Sequence, residues 1–373
     1  MSESEPDAGD ARSYHRWQFR LGALGILLTA GYLVALLATG AAAHLRALLA
    51  AWTLRWWLAV PSALLILGAG HQLLMLPLSW LGGFWLPRRH GLSHQRLVSW
   101  LWDRVKGGLI GAGLATAGCL VVYGLLRSTT WWWLWAAAAF FAGYALLAFV
   151  TPIWLLPLFY RLTPLAEGDL RSRLLRLAER ARVPAVGVWI ADQSRRSRTA
   201  NAAVTGLGRT RRILLFDTLV NRFEPEEVEA VLAHELGHHV AGDVWRGLAV
   251  QGAATLAAFC VADRALAAAA GALGLSGPAD LAGLPLLGLV TMGVSLIALP
   301  VINGWSRRVE TRADDFALRL TEDPAAFIGA MERLASLNLA ERDPHFLKEL
   351  VLYSHPSVGR RIARARSRAW SGS

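Results

Sequence analysis

Charge and cysteine are both scarce in this chain of 373 residues. Charged side chains make up 17% of it and hydrophobic ones 54%, with a mean hydropathy of +0.38. A soluble globular protein carries about a quarter charged residues, so the shortage favours a polytopic membrane protein. Cys119 and Cys260 are the only cysteines, and both lie in apolar segments. We therefore expect neither a disulfide framework nor a thiolate metal site.

We expect no cleavable signal peptide in the first residues. The first residues, MSESEPDAGDAR, are acidic and polar, and they contain neither a basic region nor a short apolar run of the kind that directs secretion. A segment of this composition buries too little apolar surface to order itself. Residues 1–19 are therefore predicted to form a disordered polar tail.

Lysine is nearly absent, since Lys106 and Lys348 are the only two, and the net charge of +11 comes from arginine. A basic excess is common in proteins that bind nucleic acid. In a chain this apolar, we expect the arginines to lie in loops, where they set the orientation of the spans and face anionic lipid headgroups. The predicted partner is a lipid bilayer, with no nucleic acid. The preference for arginine, together with abundant Ala and Gly, indicates a high-GC bacterial source and hence a bacterial plasma membrane.

Six apolar runs are each long enough to cross a bilayer, which takes roughly 20 residues. They divide the chain into a four-helix membrane region at 20–160 and a second region at 161–373. In the second region a transmembrane hairpin at 244–305 separates a polar insert at 161–243 from a polar tail at 306–373. Arginines collect on one side of the six runs, so the positive-inside rule places insert and tail in the cytoplasm. The six runs lie near 20–43, 56–86, 107–126, 131–159, 244–263 and 281–304.

The polar insert contains three predicted strands and one well-bounded helix. VGVWIAD and RRILLFD have the apolar content of buried strands, and ANAAVTGLG that of an exposed strand. The stretch FEPEEVEAVLAHELGHHVAGD comes next. Pro225 near its start, acidic residues in its first turn and Gly242 near its end are typical helix boundaries.

That helix contains the motif HExxH, beginning at His234. Residues four apart share a helix face, so His234 and His238 can converge on one ion, and zinc prefers such nitrogen ligands. Glu235 lies one position round, where a general base for the attacking water belongs. His239 is roughly 100° further round, and we expect it on the helix surface or behind the ligands. A chance match is expected in about one or two chains per hundred, so we predict one zinc ion per chain.

A catalytic zinc needs a third protein ligand and an open position for water. Directly after the sixth run, Glu310 and Asp314 lie four apart in SRRVETRADDFA, again on one helix face. The hairpin returns this segment beside the HExxH helix, so Glu310 is predicted to bind zinc and Asp314 to accept the free ring N–H of a ligand histidine. The alternative is a solvated charge cluster with Arg308 and Arg312.

Several blocks of the sequence, in order, resemble the M48 family of zinc metallopeptidases, closer to its CaaX prenyl protease (Ste24) branch than to its HtpX branch. The blocks include LPLSWLGGFWLPRRHGLSHQ, LPLFYRLTPLAEGDL, SRRSRTANAAVTGLGRTRRILLFDTLV, HELGHH, ETRADDFA and SHPSVGRRIARAR. Together with the six apolar runs, the resemblance predicts a predominantly α-helical polytopic membrane protein, with six transmembrane helices and a small α+β peptidase domain of the gluzincin type. It also implies a zinc-dependent endopeptidase that hydrolyses membrane-associated or extended polypeptides.

The resemblance further implies roles for single residues. The zinc ligands and the general base would be His234, His238, Glu310 and Glu235, with Asp314 as the carboxylate behind the ligands. His355 and Arg361 resemble the pair that approaches the substrate carbonyl and the oxyanion. From the residues alone, His355 more often marks a turn and Arg361 more often is a phosphate-facing charge of the tail.

Asn201, Ala202 and Val204 lie in a segment, 201–208, that resembles the edge strand onto which an extended peptide substrate adds. From the residues alone, an ordinary sheet edge is an equally good interpretation. The family has Tyr where this chain has Ala203, and its eukaryotic members have seven spans. A prenylated substrate is therefore not part of the prediction.

Two rival functions stay open at this point. A transporter or sensor would bind zinc without hydrolysis, and it would not need Glu235. It would favour ionisable residues deep in the spans, where this chain offers little beyond His71 and Gln72. A scaffold with a dead protease fold conflicts with the occupied catalytic positions. Within the enzyme class, quality control of membrane proteins competes with processing of one dedicated substrate.

Overall fold

Long apolar helices make up most of the chain. The computed structural model describes residues 8–52, 55–183, 185–206 and 211–371. Six of the described helices are long and apolar enough to cross a membrane, which confirms the predicted fold class together with a small sheet. These candidate spans are Gly9–Ala38, Trp56–Arg89, Leu97–Ser128, Trp132–Leu158, Asp243–Ala269 and Leu281–Thr321.

The elements alternate between membrane helices and two polar regions. The α-helices are α1 (Ala8–Ala38), α2 (Ala41–Ala51), α3 (Trp56–Trp80), α4 (Leu86–Arg89), α5 (Leu97–Ser128), α6 (Trp132–Val150), α7 (Asp169–Arg180), α8 (Asp217–Arg222), α9 (Pro225–Ala241), α10 (Asp243–Ala269), α11 (Leu284–Thr321), α12 (Pro324–Asn338), α13 (Phe346–Leu352) and α14 (Val358–Ser371). The strands are β1 (Leu162–Pro164), β2 (Val188–Ala191), β3 (Ala202–Thr205) and β4 (Arg212–Phe216).

The N-terminal segment is helical where a disordered tail was predicted. Helix α1 already begins at Ala8, so the prediction is wrong for residues 8–19, while residues 1–7 lie outside the described residues. Tyr14 is buried in a small apolar cluster that includes Leu339. His90 Nδ1 lies 2.6 Å from Asp10 Oδ1. These contacts order the segment, because they bury apolar surface in a stretch whose polar composition predicted disorder.

Two of the predicted span boundaries also shift. Helix α5 begins at Leu97, ten residues before the apolar run, and α11 continues unbroken from Leu284 to Thr321. The predicted boundary between 305 and 306 therefore falls inside one helix. No helix breaker follows the apolar run there, and the continuing polar stretch packs against α9. The two longest runs, which contain prolines, each include a π-helical turn, at Leu81–Trp85 and Thr151–Leu155.

The polar insert forms a four-stranded sheet with the order β1-β2-β4-β3. The three predicted strands are present, and β1, which contains Pro164, was not predicted. Strand β2 is parallel to β4, whereas β1 and β3 pair antiparallel to their neighbours. Strand β3 is thus an edge of the sheet, as its exposed pattern predicted.

One apolar core holds the sheet against the helix that carries HExxH. Fully buried side chains come from α7, β4, α9, α12 and α14, and examples are Leu174, Ile213, Leu232, Phe327 and Ile362. Burying a side chain of this size contributes about 1.5–3 kcal/mol. Helix α9 therefore packs against this core on three sides, and its polar side chains lie on the remaining side, which faces α11.

The two ends of the membrane bundle differ in what they contact. His15, near the start of α1, donates its Nε2 hydrogen to the carbonyl of Leu339, 2.9 Å away in the polar region. At the other end, Arg46 forms a 2.5 Å ion pair with the buried side chain of Asp280, just before α11. The start of α1 as described and the C-terminal tail thus lie on one side of the bundle, and the predicted orientation of this side toward the cytoplasm stays a prediction.

Candidate metal centre

Helix α9 is bounded by its own sequence. Glu224 and Glu227 form a reciprocal capping box at its start, where Pro225 occupies the first turn. Gly242 ends the helix at φ +67°, a conformation that favours glycine. Helix α10 begins at the next residue, Asp243, so no linker separates the peptidase helix from the fifth span.

Glycine within HExxH brings α9 close to α11. A Cβ atom built on Gly237 would lie 3.2 Å from the Cα of Ala313 and 3.2 Å from the side chain of Phe316. Nonbonded carbons prefer separations of about 3.5–4.0 Å, so only glycine permits this approach. Ala313 lies between Glu310 and Asp314, and the contact therefore presents both carboxylates to α9.

The ligand atoms of three side chains converge between these helices. The Nε2 atoms of His234 and His238 lie 3.2 Å apart. Glu310 Oε2 lies 3.1 Å from His234 Nε2, and its Oε1 lies 3.6 Å from His238 Nε2. One atom from each residue falls within 4.8 Å of the others. These are the three residues that the two spacings predicted to share an ion.

The donor set fits one metal ion. Two nitrogens bound to a tetrahedral zinc at about 2.0–2.1 Å would lie roughly 3.3–3.4 Å apart, close to the observed separation. Glu310 Oε2 is buried without a hydrogen-bond partner of acceptable geometry. Buried polar atoms are usually paired, so a cation between the three side chains would satisfy this oxygen. Two imidazoles and a carboxylate are typical ligands of catalytic zinc.

Each histidine is oriented by a carboxylate on its other ring nitrogen. Asp314 Oδ1 lies 2.8 Å from His234 Nδ1, the contact expected from the sequence. Asp243 Oδ2 lies 3.1 Å from His238 Nδ1. Such partners fix the tautomer that leaves Nε2 free for a metal. Asp243 was not predicted, although it follows directly after the glycine that ends α9.

The surroundings of His234 stabilise positive charge. Burial alone would lower the pKa of His234, but the carboxylates of Asp314 and Glu310 beside its two ring nitrogens outweigh burial and raise the pKa to about 9. A cation, either a proton or a metal ion, is therefore favoured at this position.

Arg361 contacts the carboxylate that orients His234. Its guanidinium forms two hydrogen bonds to Asp314, at 2.9 and 2.5 Å, and its Nη2 lies 3.3 Å from His234 Nδ1. This is the side of the ring opposite to Nε2, where the ligand atoms converge. Arg361 thus holds Asp314, and through it His234, and its approach to the substrate oxyanion stays a prediction.

Glu235 and His355 lie on the open side of the ligands. Glu235 is half-buried, and burial raises the pKa of its carboxyl, against a lowering effect of His234 and His238. His355 Nε2 lies 3.3 Å from Glu310 Oε1, and its side chain is 58% exposed. An acid beside the ligands and an exposed imidazole are thus available to a molecule that enters from solvent.

The edge strand β3 runs past the same helix. The carbonyl of Asn201 accepts a hydrogen bond from Phe216 N in β4, so by alternation Ala202 and Val204 direct their backbone groups away from β4. His239 Nε2 donates to the carbonyl of Val204, at 2.8 Å. His239 therefore ties α9 to this edge and does not face the ligand atoms. Residues 207 and 208 of the predicted segment lie outside the described residues.

Comparison with known proteins identifies the family. The profile of Peptidase family M48 matches residues 164–369, and that of the CAAX prenyl protease N-terminal region, with five membrane helices, matches residues 4–161. The chain belongs to peptidase family M48. It is therefore a multi-pass membrane metalloendopeptidase that acts on polypeptides, which argues against the transporter or sensor. In the N-terminal region, the described residues contain four long apolar helices and the short apolar α2.

Relatives of this M48 peptidase occur in bacteria and eukaryotes. An uncharacterized metalloprotease of Bacillus subtilis, YhfN, is 33% identical over 298 residues, which cover 79% of this chain and 70% of that protein. CAAX prenyl protease 1 of Saccharomyces cerevisiae is 33% identical over 178 residues, 46% of this chain and 39% of that one. A crystal structure of Ste24p from S. mikatae has the same fold, with a TM-score of 0.85 and 22% identity, covering 98% of this chain and 91% of that one.

Proposed function

We propose that this M48 peptidase is a zinc-dependent endopeptidase in which His234, His238 and Glu310 hold one zinc ion per chain. The observation that carries the proposal is the convergence of their ligand atoms within 4.8 Å. The carboxylates of Asp314 and Asp243, each on the far nitrogen of one histidine, support it, because such pairs orient metal-binding imidazoles.

Zinc would supply Lewis-acid polarisation of the scissile carbonyl and would lower the pKa of a water molecule. Glu235 accepts the proton of the attacking water on its carboxylate and returns it to the leaving amine. His355, exposed at the mouth of the site, donates to the oxyanion that develops on the carbonyl. Arg361 acts indirectly, since it holds Asp314 against His234.

An extended polypeptide would bind along β3. The outward carbonyl of Ala202 and the outward N–H of Val204 would pair with the added strand, since the Ala202 N–H already donates to the side chain of Asn201 and the Val204 carbonyl already accepts from His239. The carbonyl of Val204 is held by His239, so this edge has a fixed position relative to α9. Several relatives are named as CAAX prenyl proteases. Their names support the proposal that this chain cleaves a membrane-associated substrate. We do not extend them to the proposal that this substrate is prenylated.

The site would face the cytoplasm from a bacterial plasma membrane. The positive-inside rule and the arginines that share one side of the bundle support this orientation. In a background without Cys119 and Cys260, cysteines at Ala50 and Glu179 should label from opposite sides of inverted vesicles, the second from the cytoplasmic side. Labelling of both from the same side would contradict the orientation.

The decisive experiment separates ligands from the base. Replacing His234, His238 or Glu310 with Ala should remove zinc and peptide cleavage together. Glu235→Gln should keep zinc near one per chain while turnover falls by about two to four orders of magnitude, the usual contribution of a general base. Glu226→Gln, the same change on the exposed first turn of α9, is the matched control and should alter neither. Loss of zinc from Glu235→Gln, measured by plasma emission, would refute these roles.

A further inference from the structure

A cavity lies beside α11, away from the three ligand residues. It has a volume of about 640 Å³, and it lies between α11, the end of α13 and the first turns of α14. None of the three ligand residues lines it, although Arg361 and Asp314 form part of its inner wall. The cavity is therefore separate from the ligand atoms and shares only one pair of side chains with the site.

The floor of this cavity lies beside the last exposed apolar residues of the sixth candidate span. Ile297 and Val301, 79% and 73% exposed, are apolar side chains on the outside of the bundle, and Val301 lines the cavity. Leu350, on α13, is also exposed and lines it. Trp305 follows one turn later, at the depth where tryptophan is enriched in membrane proteins. The cavity thus opens at the boundary between acyl chains and headgroups.

The upper wall of the cavity is basic. Five arginines and two carboxylates line it. Arg308 is exposed and has no ion-pair partner among the residues that the structure describes. Arg360 lies 3.5 Å from Glu349, at the weak end of ion pairing, and Arg364 pairs with Asp315. Arg308 lies seven residues beyond Val301, which corresponds to about 10 Å along the helix and hence to the headgroup layer.

We propose that this cavity binds the phosphate headgroup of an anionic membrane lipid. Arg308 and Arg360 contact the phosphate, and the acyl chains leave past Val301 and Leu350. Guanidinium groups suit phosphate because their N–H donors match its oxygens. A soluble phosphate compound has no acyl chains to pack against the apolar floor of the cavity, so a lipid fits both the floor and the basic wall better.

The position of the cavity gives the bound lipid a structural effect. Helix α11 carries Glu310, the turn after α13 carries His355, and α14 carries Arg361. A lipid held between these three elements would stabilise their packing. The membrane would then contribute directly to the arrangement of the site, independently of which metal is bound.

Native mass spectrometry of the full chain in a neutral detergent tests the proposal. Phosphatidylglycerol should bind at least fivefold more tightly than phosphatidylcholine, because one arginine near an anionic surface contributes about fivefold. Arg308→Ala and Arg360→Ala should each weaken that binding about fivefold. Arg319→Ala is the matched control, since Arg319 is exposed on the same helix, does not line the cavity and lies about 16 Å further along. It should bind phosphatidylglycerol as the unchanged protein does.

Four results would overturn the proposal. Equal affinity for the two lipids would exclude recognition of negative charge. Unchanged binding in both Arg308→Ala and Arg360→Ala, or an equal loss in Arg319→Ala, would exclude this cavity as the site. Glycerol 3-phosphate that competes as strongly as the lipid would make the cavity a site for soluble phosphate compounds. Melting temperatures of all variants, measured without added lipid, show whether each is folded.

Discussion

Gly237→Ala should weaken zinc binding with little loss of stability. The new Cβ would lie 3.2 Å from the Cα of Ala313, so α11 must move by about 0.3–0.8 Å to restore ordinary contact. Metal sites tolerate displacements of only about 0.2 Å, and Glu310 is one turn from Ala313. Overpacking destabilises by about 1–3 kcal/mol, but alanine favours a helix over glycine by about 1 kcal/mol. The net destabilisation is therefore only about 0–2 kcal/mol.

Chelator competition and thermal melting separate these two effects. The zinc dissociation constant should rise tenfold or more, comparable to the loss of a carboxylate behind a ligand, which changes it by about 10–100-fold. Gly111→Ala provides the control, because its Cβ would meet nothing within 4 Å in helix α5, and its zinc affinity should not change. The reasoning is wrong if the folded Gly237→Ala protein binds zinc within twofold of the original.

Three further predictions concern residues around the ligands. Asp243→Ala should lower zinc affinity about 10–100-fold by freeing the His238 ring; affinity within twofold of the original in the same competition assay would exclude this role. Val204→Pro removes an outward backbone donor and should raise the KM for an extended peptide about two- to tenfold at unchanged zinc content; an unchanged KM in the folded variant would rule out strand addition here. His239→Ala should keep zinc but raise KM several-fold. His239→Gln, which retains a hydrogen-bond donor, should largely restore the original KM. A loss of zinc from His239→Ala would mean that His239 faces the ion.

Spacing along a single helix was predictable, because it depends only on the helical repeat. The four-residue intervals of His234 with His238 and of Glu310 with Asp314 predicted shared faces, and the rings and carboxylates lie on those faces. The six apolar runs were likewise predictable from composition, since a bilayer demands length and hydrophobicity. The prediction of these features does not depend on how two elements pack against each other.

Contacts between elements were not predictable in the same way. Asp243 reaches His238 only because Gly242 turns the chain through a left-handed conformation, and the direction of α10 then decides where the carboxylate lies. The two hydrogen bonds from Arg361 to the buried Asp314 depend on how α14 packs beside α11, which no spacing within one helix predicts. Strand β1 contains a proline and is three residues long, so its pairing with β2 depends on the sheet already being present.

The continuity of α11 couples the direction of the sixth span to the position of Glu310. Glu310 lies 26 residues beyond Leu284, the start of α11, or about 39 Å along the axis. Tilting such a rod by one degree about its far end would carry Glu310 about 0.7 Å sideways, several times what a metal site tolerates. Helix α9 must therefore tilt with α11, and its direct junction to α10 at Gly242 links it to the same pair of spans. If the hairpin and α9 tilt together, a bilayer of different thickness is expected to change the orientation of the active site relative to the membrane and to leave the distances between its three ligands unchanged.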